Sequence, residues 1–277
     1  EHTRLSERKP MSKAVAVIVG AGSKHDKDGA GTHLPPTSRY GLGGALSIRF
    51  ATEGGYHVVL MGRRAAILKE VAAEVVAAGG TASAVECDVS SDESVATAFA
   101  RARELGTIEV LVFNAAAPFP PGVSFSNMPR PKEVDPEYLN FAFNIGVSGA
   151  LRCAKAVIDE MLENKKGNII FSGATMSLRG GPGFAALSPI KFALRSLAQS
   201  FYQEYAPKGI HVSHVIIDGV IESPNTEAWG IGAGGKVQLQ DPTGLADAFI
   251  GLVRQPPTCW THELQLSPQL GGIGMRL

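Results

Sequence analysis

The chain has 277 residues, of which 44% are hydrophobic and 32 are glycine, a composition that suits one large α/β domain with many turns. Its 26 basic and 26 acidic residues cancel, so no overall charge favours nucleic acid or a membrane surface as a partner. No apolar run reaches the roughly 20 residues that cross a bilayer, so a membrane-spanning protein is not expected.

The first ten residues are too polar for the apolar core of a secretory signal. We therefore expect a disordered leader over residues 1–11 and a single domain over 12–277. The three cysteines, Cys87, Cys153 and Cys259, are widely spaced and form no paired metal motif. They are interpreted as core thiols in a reducing compartment, which predicts a cytoplasmic protein.

A buried strand near the start of the chain ends in glycines. The apolar run 14–19 meets a glycine turn, and a helix opens with further glycines after a polar stretch. A helix N-terminus presents unpaired N–H groups and a positive dipole end, so this arrangement suits a phosphate. We assign the tight turn to Gly20, the approach of a pyrophosphate to Gly41, and close helix–strand packing to Gly43. The candidate phosphate-binding residues are Gly20, Gly22, Ser23, Gly41, Leu42 and Gly43.

Residues 24–40 separate the two halves of this turn. Their prolines, glycines and charges cannot continue a helix or fill a core, so a surface loop is predicted. The segment carries His25, Asp26, Asp28 and His33, but their spacing fits neither a helical histidine pair nor a calcium loop. No metal site is predicted, and a flap over the bound phosphates is the alternative to a solvated loop.

The second strand, 57–60, leads into Arg63 and Arg64 at the start of the next helix. An acidic residue at this point would bind the 2′-hydroxyl of an adenosine ribose, whereas arginine accommodates a 2′-phosphate. The two arginines therefore favour NADP(H) over NAD(H). A solvated helix start is the alternative interpretation.

This order of elements resembles the short-chain dehydrogenase/reductase family, whose glycine motif is Gly-x-x-x-Gly-x-Gly. The first two glycines of that motif are four residues apart, whereas Gly20 and Gly41 are 21 apart, so 17 residues have been added. The resemblance implies that Asp88 and Val89, after a third strand (81–87), contact the adenine. It also implies that Asn114, Ala115 and Ala116, after a fourth strand (109–113), pack against the ribose. Helices are predicted over 65–78, from Ser91, and over 136–164.

Residues 171–191 resemble the catalytic segment of the family, in which a serine and a tyrosine flank a substrate carbonyl and a lysine follows. Counting back from Lys191 places Leu187 in the tyrosine position and Ala174 in the serine position. Gly146 occupies the position of the family's active-site asparagine, and Asn144 lies close by in the sequence. Only Lys191 is carried over, to bind ribose hydroxyls.

Other hydroxyl groups lie near these positions. Ser188 is expected on the helix face shared by Phe184, Leu187 and Lys191, where it could orient a substrate more easily than protonate it. A helix-surface hydroxyl beside Pro189 is the alternative. Phe184 also occupies the position from which the related enoyl-acyl-carrier-protein reductases use a tyrosine. Further hydroxyls follow the fifth strand (168–171) at Ser172, Thr175 and Ser177.

Two further stretches resemble a divergent branch of the family that has an apolar residue in the tyrosine position. These are residues 173–181 and the Trp-Thr-His-Glu at 260–263, and the overall resemblance covers about residues 12–266. After a strand at 211–217, the turn 218–223 resembles the one that holds the nicotinamide carboxamide, here through the Ile221 backbone and the Ser223 hydroxyl. A glycine-rich substrate lid is expected over about 222–240, followed by a helix from Asp241 and a closing strand over 260–266.

Together these elements predict a single α/β domain with a doubly wound parallel sheet, a Rossmann fold, and seven strands in the order 3-2-1-4-5-6-7. The resemblance implies an NADP(H)-dependent oxidoreductase for a small carbonyl, alcohol or enone, assembled as a homodimer or homotetramer, with an atypical active site. Because three catalytic positions differ, a dehydratase, isomerase or cyclase and an inactive nucleotide-binding subunit stay as alternatives.

Overall fold

The computed structural model describes residues 13–22, 31–120, 122–124, 127–228, 230 and 237–270. Seven parallel strands form one sheet in the order β3-β2-β1-β4-β5-β6-β7, which confirms the predicted topology and fold class. The strands are β1 (Ala14–Val19), β2 (His57–Gly62), β3 (Thr81–Glu86), β4 (Thr107–Phe113), β5 (Gly167–Ser172), β6 (Ile210–Ile217) and β7 (Glu263–Leu266).

Helices cover both faces of this sheet. They are α1 (Pro36–Arg39), α2 (Gly41–Thr52), α3 (Ala65–Ala77), α4 (Asp92–Glu104), α5 (Pro136–Phe143), α6 (Gly149–Asn164), α7 (Ser188–Tyr205), α8 (Pro224–Ala228) and α9 (Pro242–Val253). One core, which includes Phe99, Phe113 and Phe171, lies on one side of the sheet, and the other includes Phe50 and Phe249. Burial on both faces explains why the central strands are continuous apolar runs.

Two predicted helix starts are confirmed by their caps. The Ser91 hydroxyl accepts the Ser94 N–H at 3.2 Å, and the Asp241 carboxylate accepts the Thr243 N–H at 2.8 Å. The closing strand is shorter than predicted, because β7 begins only at Glu263. Trp260 instead stacks on the ring of His211, with centroids 4.9 Å apart.

The helix predicted over 136–164 is interrupted. Between α5 and α6 the backbone widens into a π-helical segment, Asn144–Ser148, a feature that often marks functional sites. By length and composition, Pro136–Asn164 is apolar enough to cross a bilayer, so the expectation that no such run exists is wrong. Half of its most apolar window is buried inside the protein, as in the core helix of a globular domain.

The end of the inserted segment is built into the domain. Pro36 begins α1, where its missing N–H costs nothing, and both Ser38 and Tyr40 are buried. The prediction of a surface loop is therefore wrong for residues 36–40. Residues 24–30, with His25, Asp26 and Asp28, lie outside the described residues, as does the predicted leader.

The cysteines differ from one another in exposure. Cys87 and Cys153 are buried, and burial raises the pKa of Cys87 to about 11 and that of Cys153 well above its ordinary value. Cys259 is exposed, so the prediction of three core thiols is wrong at that position.

Candidate active site

The glycine turn after β1 lies against the N-terminus of α2. Gly20 (φ +88°) and Gly41 (φ +62°) adopt left-handed conformations that favour glycine. Gly43 lies so close to the turn that a Cβ there would be 2.3 Å from the carbonyl oxygen of Gly20. These geometries fit the tight turn and the close packing assigned from the sequence, while the pyrophosphate contact at Gly41 stays a prediction.

The surroundings of this turn suit an anionic group. The first turn of α2 has no side-chain cap and no acidic residue, so it keeps N–H groups and positive potential for a phosphate. Leu42 is buried, so it can offer only its backbone, and a Cβ on Gly22 would lie 2.6 Å from Ile67 Cγ2. Ser23 lies outside the described residues. The residues present fit a dinucleotide.

The two arginines occupy different positions at the end of β2. Arg64 donates a hydrogen bond from Nη2 to the carbonyl oxygen of Gly22, which places its guanidinium on the glycine turn. Burial, with a smaller contribution from Arg63, lowers the pKa of Arg64. Arg63 is exposed. Positive charge therefore lies directly beside the candidate phosphate site.

The predicted adenine and ribose contacts lie at the neighbouring strand ends. Ser90 donates to the Asp88 carboxylate from its hydroxyl at 2.6 Å and its backbone at 2.9 Å, which, with Arg63 nearby, lowers the pKa of Asp88. Val89 is buried, and a Cβ on Gly149 would be 2.8 Å from its Cγ2.

The end of β4 is joined to the glycine turn. The Asn114 side chain donates to the Gly20 carbonyl at 3.3 Å, and its backbone donates to Val19 at 2.9 Å. Ala115 follows so closely that a Cβ on Gly20 would lie 2.7 Å from its nitrogen, and Ala116 is exposed. The structure thus brings Asn114–Ala116 together with the glycine turn.

A small pocket opens beside this strand end. Its walls come from the loop after β4, from α5 and the π segment, and from the start of α7. The lining residues are Ala115, Ala116, Ala117, Phe119, Tyr138, Ala142, Gly146, Ala186, Leu187, Ile190 and Lys191. Leu187, Lys191 and Gly146, the positions aligned with the tyrosine, lysine and asparagine of the family, therefore meet at one pocket.

The polar groups expected near the pocket are arranged differently from the prediction. Lys191 donates from Nζ to the Ser172 carbonyl at 2.8 Å. Helix α7 begins only at Ser188, whose hydroxyl is buried and donates to Met176 Sδ at 3.4 Å. The prediction that Ser188 shares a helix face with Phe184, Leu187 and Lys191 is wrong, because α7 begins at Ser188 and Phe184 precedes it.

Of the alternative hydroxyls, those of Thr175 and Ser177 are bonded internally, whereas the buried Oγ of Ser172 has no hydrogen-bond partner among the described residues. Thr175 donates to Asp218 Oδ1 at 2.7 Å, and the Ser177 hydroxyl accepts the Ala174 N–H at 3.1 Å. The side-chain oxygen of Asn144 accepts from Arg152 at 3.0 Å, so this asparagine is held by Arg152.

The turn after β6 is closed by its own contacts. The hydroxyls of Ser223 and Thr226 lie 3.2 Å apart, and Ser223 is buried at the start of α8. Ile221 forms a bridge with Gln240. The predicted nicotinamide contacts of Ile221 and Ser223 stay predictions, and residues 229 and 231–236 of the predicted lid lie outside the described residues.

The inserted segment contacts this predicted lid. The Ser38 hydroxyl donates to the Glu222 carboxylate at 2.6 Å, and His33 Nε2 lies 3.0 Å from Glu227 Oε2. A Cβ on Gly31 would lie 2.5 Å from the Pro224 side chain. The insertion therefore runs from the glycine turn to the segment after β6, which links the two ends of the site.

Sequence reasoning missed a buried polar cluster behind the pocket. His214 is fully buried, with Nε2 3.4 Å from the Ser177 hydroxyl and Nδ1 3.4 Å from Glu263 Oε2 without hydrogen-bond geometry. Arg195 binds both oxygens of Glu263 at 2.6 and 2.7 Å. Burial, opposed by Glu263 and aided by Lys191, lowers the pKa of His214 to about 4.

We expect acidification to destabilise the protein through His214. The unfolded histidine takes up a proton below its ordinary pKa of 6.5, whereas the folded one does so only near about 4, so stability falls as the pH drops through this window. The expected loss is at most about 3 kcal/mol. His214→Gln should reduce the difference between the free energies of unfolding, measured with urea, at about pH 7 and about pH 4.5. Equal pH dependence in wild type and His214→Gln would contradict this assignment.

Most of the chain is similar to known proteins of one family. A family model described as short chain dehydrogenase matches residues 38–231. Oxidoreductase UcpA of Salmonella typhimurium is 31% identical over 199 residues, which cover 71% of this chain and 72% of that protein. The crystal structure of a short-chain dehydrogenase from Rhodopseudomonas palustris superposes with a TM-score of 0.71 and 29% identity, covering 92% of this chain and 98% of the other. A metagenomic short-chain oxidoreductase in complex with NADP superposes with a TM-score of 0.71 and 24% identity, covering 94% and 99% of the two chains.

Proposed function

The chain belongs to the short-chain dehydrogenase family, and from that premise we propose that it is an NADP(H)-dependent oxidoreductase acting on a small carbonyl, alcohol or enone compound. The observation that carries the cofactor is the Arg64 guanidinium on the carbonyl of Gly22, beside the glycine turn. A guanidinium in this place neutralises a 2′-phosphate, which only NADP(H) carries. The NADP bound by the metagenomic short-chain oxidoreductase is consistent with this choice.

The pocket defines what the substrate end of the site can do. When bound, NADPH supplies the hydride. Lys191 brings a positive charge to the pocket, where it suits ribose hydroxyls and the growing negative charge on a substrate oxygen. The alanine, leucine and isoleucine walls exclude water and fit a hydrocarbon skeleton. A homodimer or homotetramer stays a prediction.

A second candidate function follows from the catalytic positions. Alanine at 174 and leucine at 187 carry no hydroxyl, and the neighbouring Thr175, Ser177 and Ser188 are bonded away from the pocket. A non-redox enzyme, such as a dehydratase, isomerase or cyclase, or an inactive nucleotide-binding subunit would be compatible with this arrangement.

Loss of both arginines should separate NADP(H) from NAD(H). We expect Arg63→Ala/Arg64→Ala to weaken NADPH binding about 100-fold, because charge-assisted bonds to a phosphate contribute about 1.5–3 kcal/mol each. NADH binding should change by less than about threefold. Isothermal titration calorimetry measures both, and Arg101→Ala, at an exposed position on α4, serves as the charge-matched control.

Turnover then distinguishes the two candidate functions. The decay of NADPH absorbance is followed with acetophenone, cyclohexanone and cyclohex-2-enone. Consumption of NADPH with any of these compounds supports the redox function, and binding of NADPH without its consumption favours the alternatives.

Equal weakening of NADPH and NADH binding by the double arginine variant would remove the argument for the 2′-phosphate.

A further inference from the structure

The pocket has two residues with polar side chains, counted among the lining residues that the structure describes. One is Lys191 and the other is Tyr138, and the remaining nine are alanine, glycine, leucine, isoleucine or phenylalanine. The chain has five tyrosines, and Tyr138 is the one that contributes a phenol to this pocket. A tyrosine is therefore present where Leu187 supplies none, although it comes from a different element.

The start of α5 explains how this phenol is positioned. Asp135 caps the helix by accepting the Glu137 N–H at 2.9 Å, and Pro136 opens its first turn. Tyr138, Ala142 and Gly146 follow at intervals of four residues, so they share one side, and all three line the pocket.

The Tyr138 hydroxyl is held at the edge of the site. It donates to the Pro118 carbonyl oxygen at 3.2 Å, a contact to the loop after β4 that continues from Ala115–Ala117. The side chain is half-buried, so one end of the phenol stays within reach of water. A hydroxyl bonded to a single rim carbonyl can turn toward a substrate oxygen at little cost, because one hydrogen bond replaces another.

We propose that Tyr138 is the proton donor for the substrate oxygen, taking the place of the tyrosine that position 187 lacks. This rests on the proposed redox function. It assigns the acid to α5 and leaves Lys191 on α7 as the positive charge lining the same pocket.

The step balances with NADPH as the reductant. The carbonyl carbon accepts a hydride from the reduced dinucleotide, the C=O π pair moves onto oxygen, and that oxygen takes the proton as the Tyr138 O–H bond breaks. The ketone is reduced to an alcohol and the dinucleotide is oxidised. The Tyr138 phenolate then regains a proton from water, which its partial exposure allows.

The electrostatics agree with an acid role. Burial raises the pKa of Tyr138, so the phenol carries its proton throughout the physiological range. A positively charged oxidised nicotinamide beside it would favour the phenolate and lower that pKa. A phenol that lies far from the nicotinamide and only braces the Pro118 loop would be little affected by the nicotinamide charge.

The first test measures the ionisation of the Tyr138 phenol directly and does not depend on turnover of a substrate. Full-length protein with carbon-13 at the tyrosine Cζ is titrated with base by NMR, with and without NADP⁺, and Tyr138→Phe identifies the Tyr138 resonance. We expect its ionisation midpoint to move to lower pH when NADP⁺ binds. If calorimetry shows that NADP⁺ binds and the ionisation midpoint of Tyr138 does not move, the proposal is wrong.

The second test is kinetic. Tyr138→Phe should lower kcat about 10²–10⁴-fold with whichever of acetophenone, cyclohexanone and cyclohex-2-enone is reduced, while KM for NADPH changes by less than about threefold. Tyr202→Phe, which removes the same atom from a ring packed at a tilt against His262, should leave kcat unchanged. Full activity in Tyr138→Phe would contradict the assignment. If wild-type protein does not bind NADP⁺, the proposed function is refuted, and the assignment of Tyr138 fails with it.

Discussion

Replacing Gly43 with alanine should lower the free energy of unfolding by about 3 kcal/mol and weaken dinucleotide binding about 30-fold. The added Cβ would lie 2.3 Å from the Gly20 carbonyl oxygen and 2.8 Å from the Ala21 Cα, both of which are backbone atoms that no rotamer change can move. Helix α2 must therefore shift away from β1, which displaces its N-terminal N–H groups from the phosphate site.

A matched control is available at another helical glycine. Gly251 lies in α9, and a Cβ added there would meet no atom of a neighbouring element within 4 Å, so Gly251→Ala should gain about 1 kcal/mol from helix propensity. Urea unfolding and calorimetry with NADPH measure both effects in both variants. Gly43→Ala with wild-type stability and affinity would show that the close helix–strand contact is not needed.

Much of the fold could be predicted from local chemistry. Glycines end strands, Ser91 and Asp241 cap helices, and buried parallel strands read as continuous apolar runs, so a parallel α/β sheet followed from the regular alternation of elements. The strand order followed from the doubly wound topology that this alternation resembles. The π segment could not be predicted in this way. Within that segment Gly146 packs so closely on Ile190 that a Cβ there would lie 2.7 Å from Ile190 Cγ2, a tertiary contact that local sequence does not report.

The candidate site was likewise predictable where it depends on local spacing and not where it depends on tertiary contacts. Counting back from Lys191 identified Leu187, and the resemblance to the family placed its asparagine at Gly146. The structure places all three residues at one pocket. Counting could not identify Tyr138, because its distance along the chain from Lys191 carries no information about a shared wall. For Ser188 the helical spacing misled, because α7 begins at that residue and its hydroxyl packs inward on Met176.

The inserted segment shows why composition alone is insufficient. Prolines and charges correctly indicated an interruption of the glycine turn, but Tyr40 is buried under α2 and Ser38 bonds to Glu222. The Ser38–Glu222 bond exists only because the segment before α8 returns to the inserted segment after β6, and the Tyr40 hydroxyl reaches Glu70 on α3. Contacts between segments that are far apart in the sequence decide which residues are buried, and no local sequence pattern indicates them.

Lys191→Met should lower kcat/KM about 100-fold or more and weaken NADPH binding, because it removes a positive charge from a pocket whose other described walls are almost wholly apolar. Methionine keeps most of the side-chain volume, so folding should be preserved. Lys155→Met, at an exposed position on α6, is the matched control. Measurements are calorimetry with NADPH and turnover of the ketone or enone that wild-type protein reduces.

A second readout of Lys191→Met is independent of any substrate. Lys191 helps to lower the pKa of the buried His214, after the larger effect of burial, so its removal should raise that pKa. The imidazole resonances of His214, identified with His214→Gln, should then titrate at higher pH in Lys191→Met than in wild type. If turnover falls while the pKa of His214 is unchanged, the charge of Lys191 acts at the pocket but does not affect the buried cluster around His214. If His214 moves and both binding and turnover stay at wild-type values, the charge is structural and the proposed role of Lys191 at the dinucleotide is wrong.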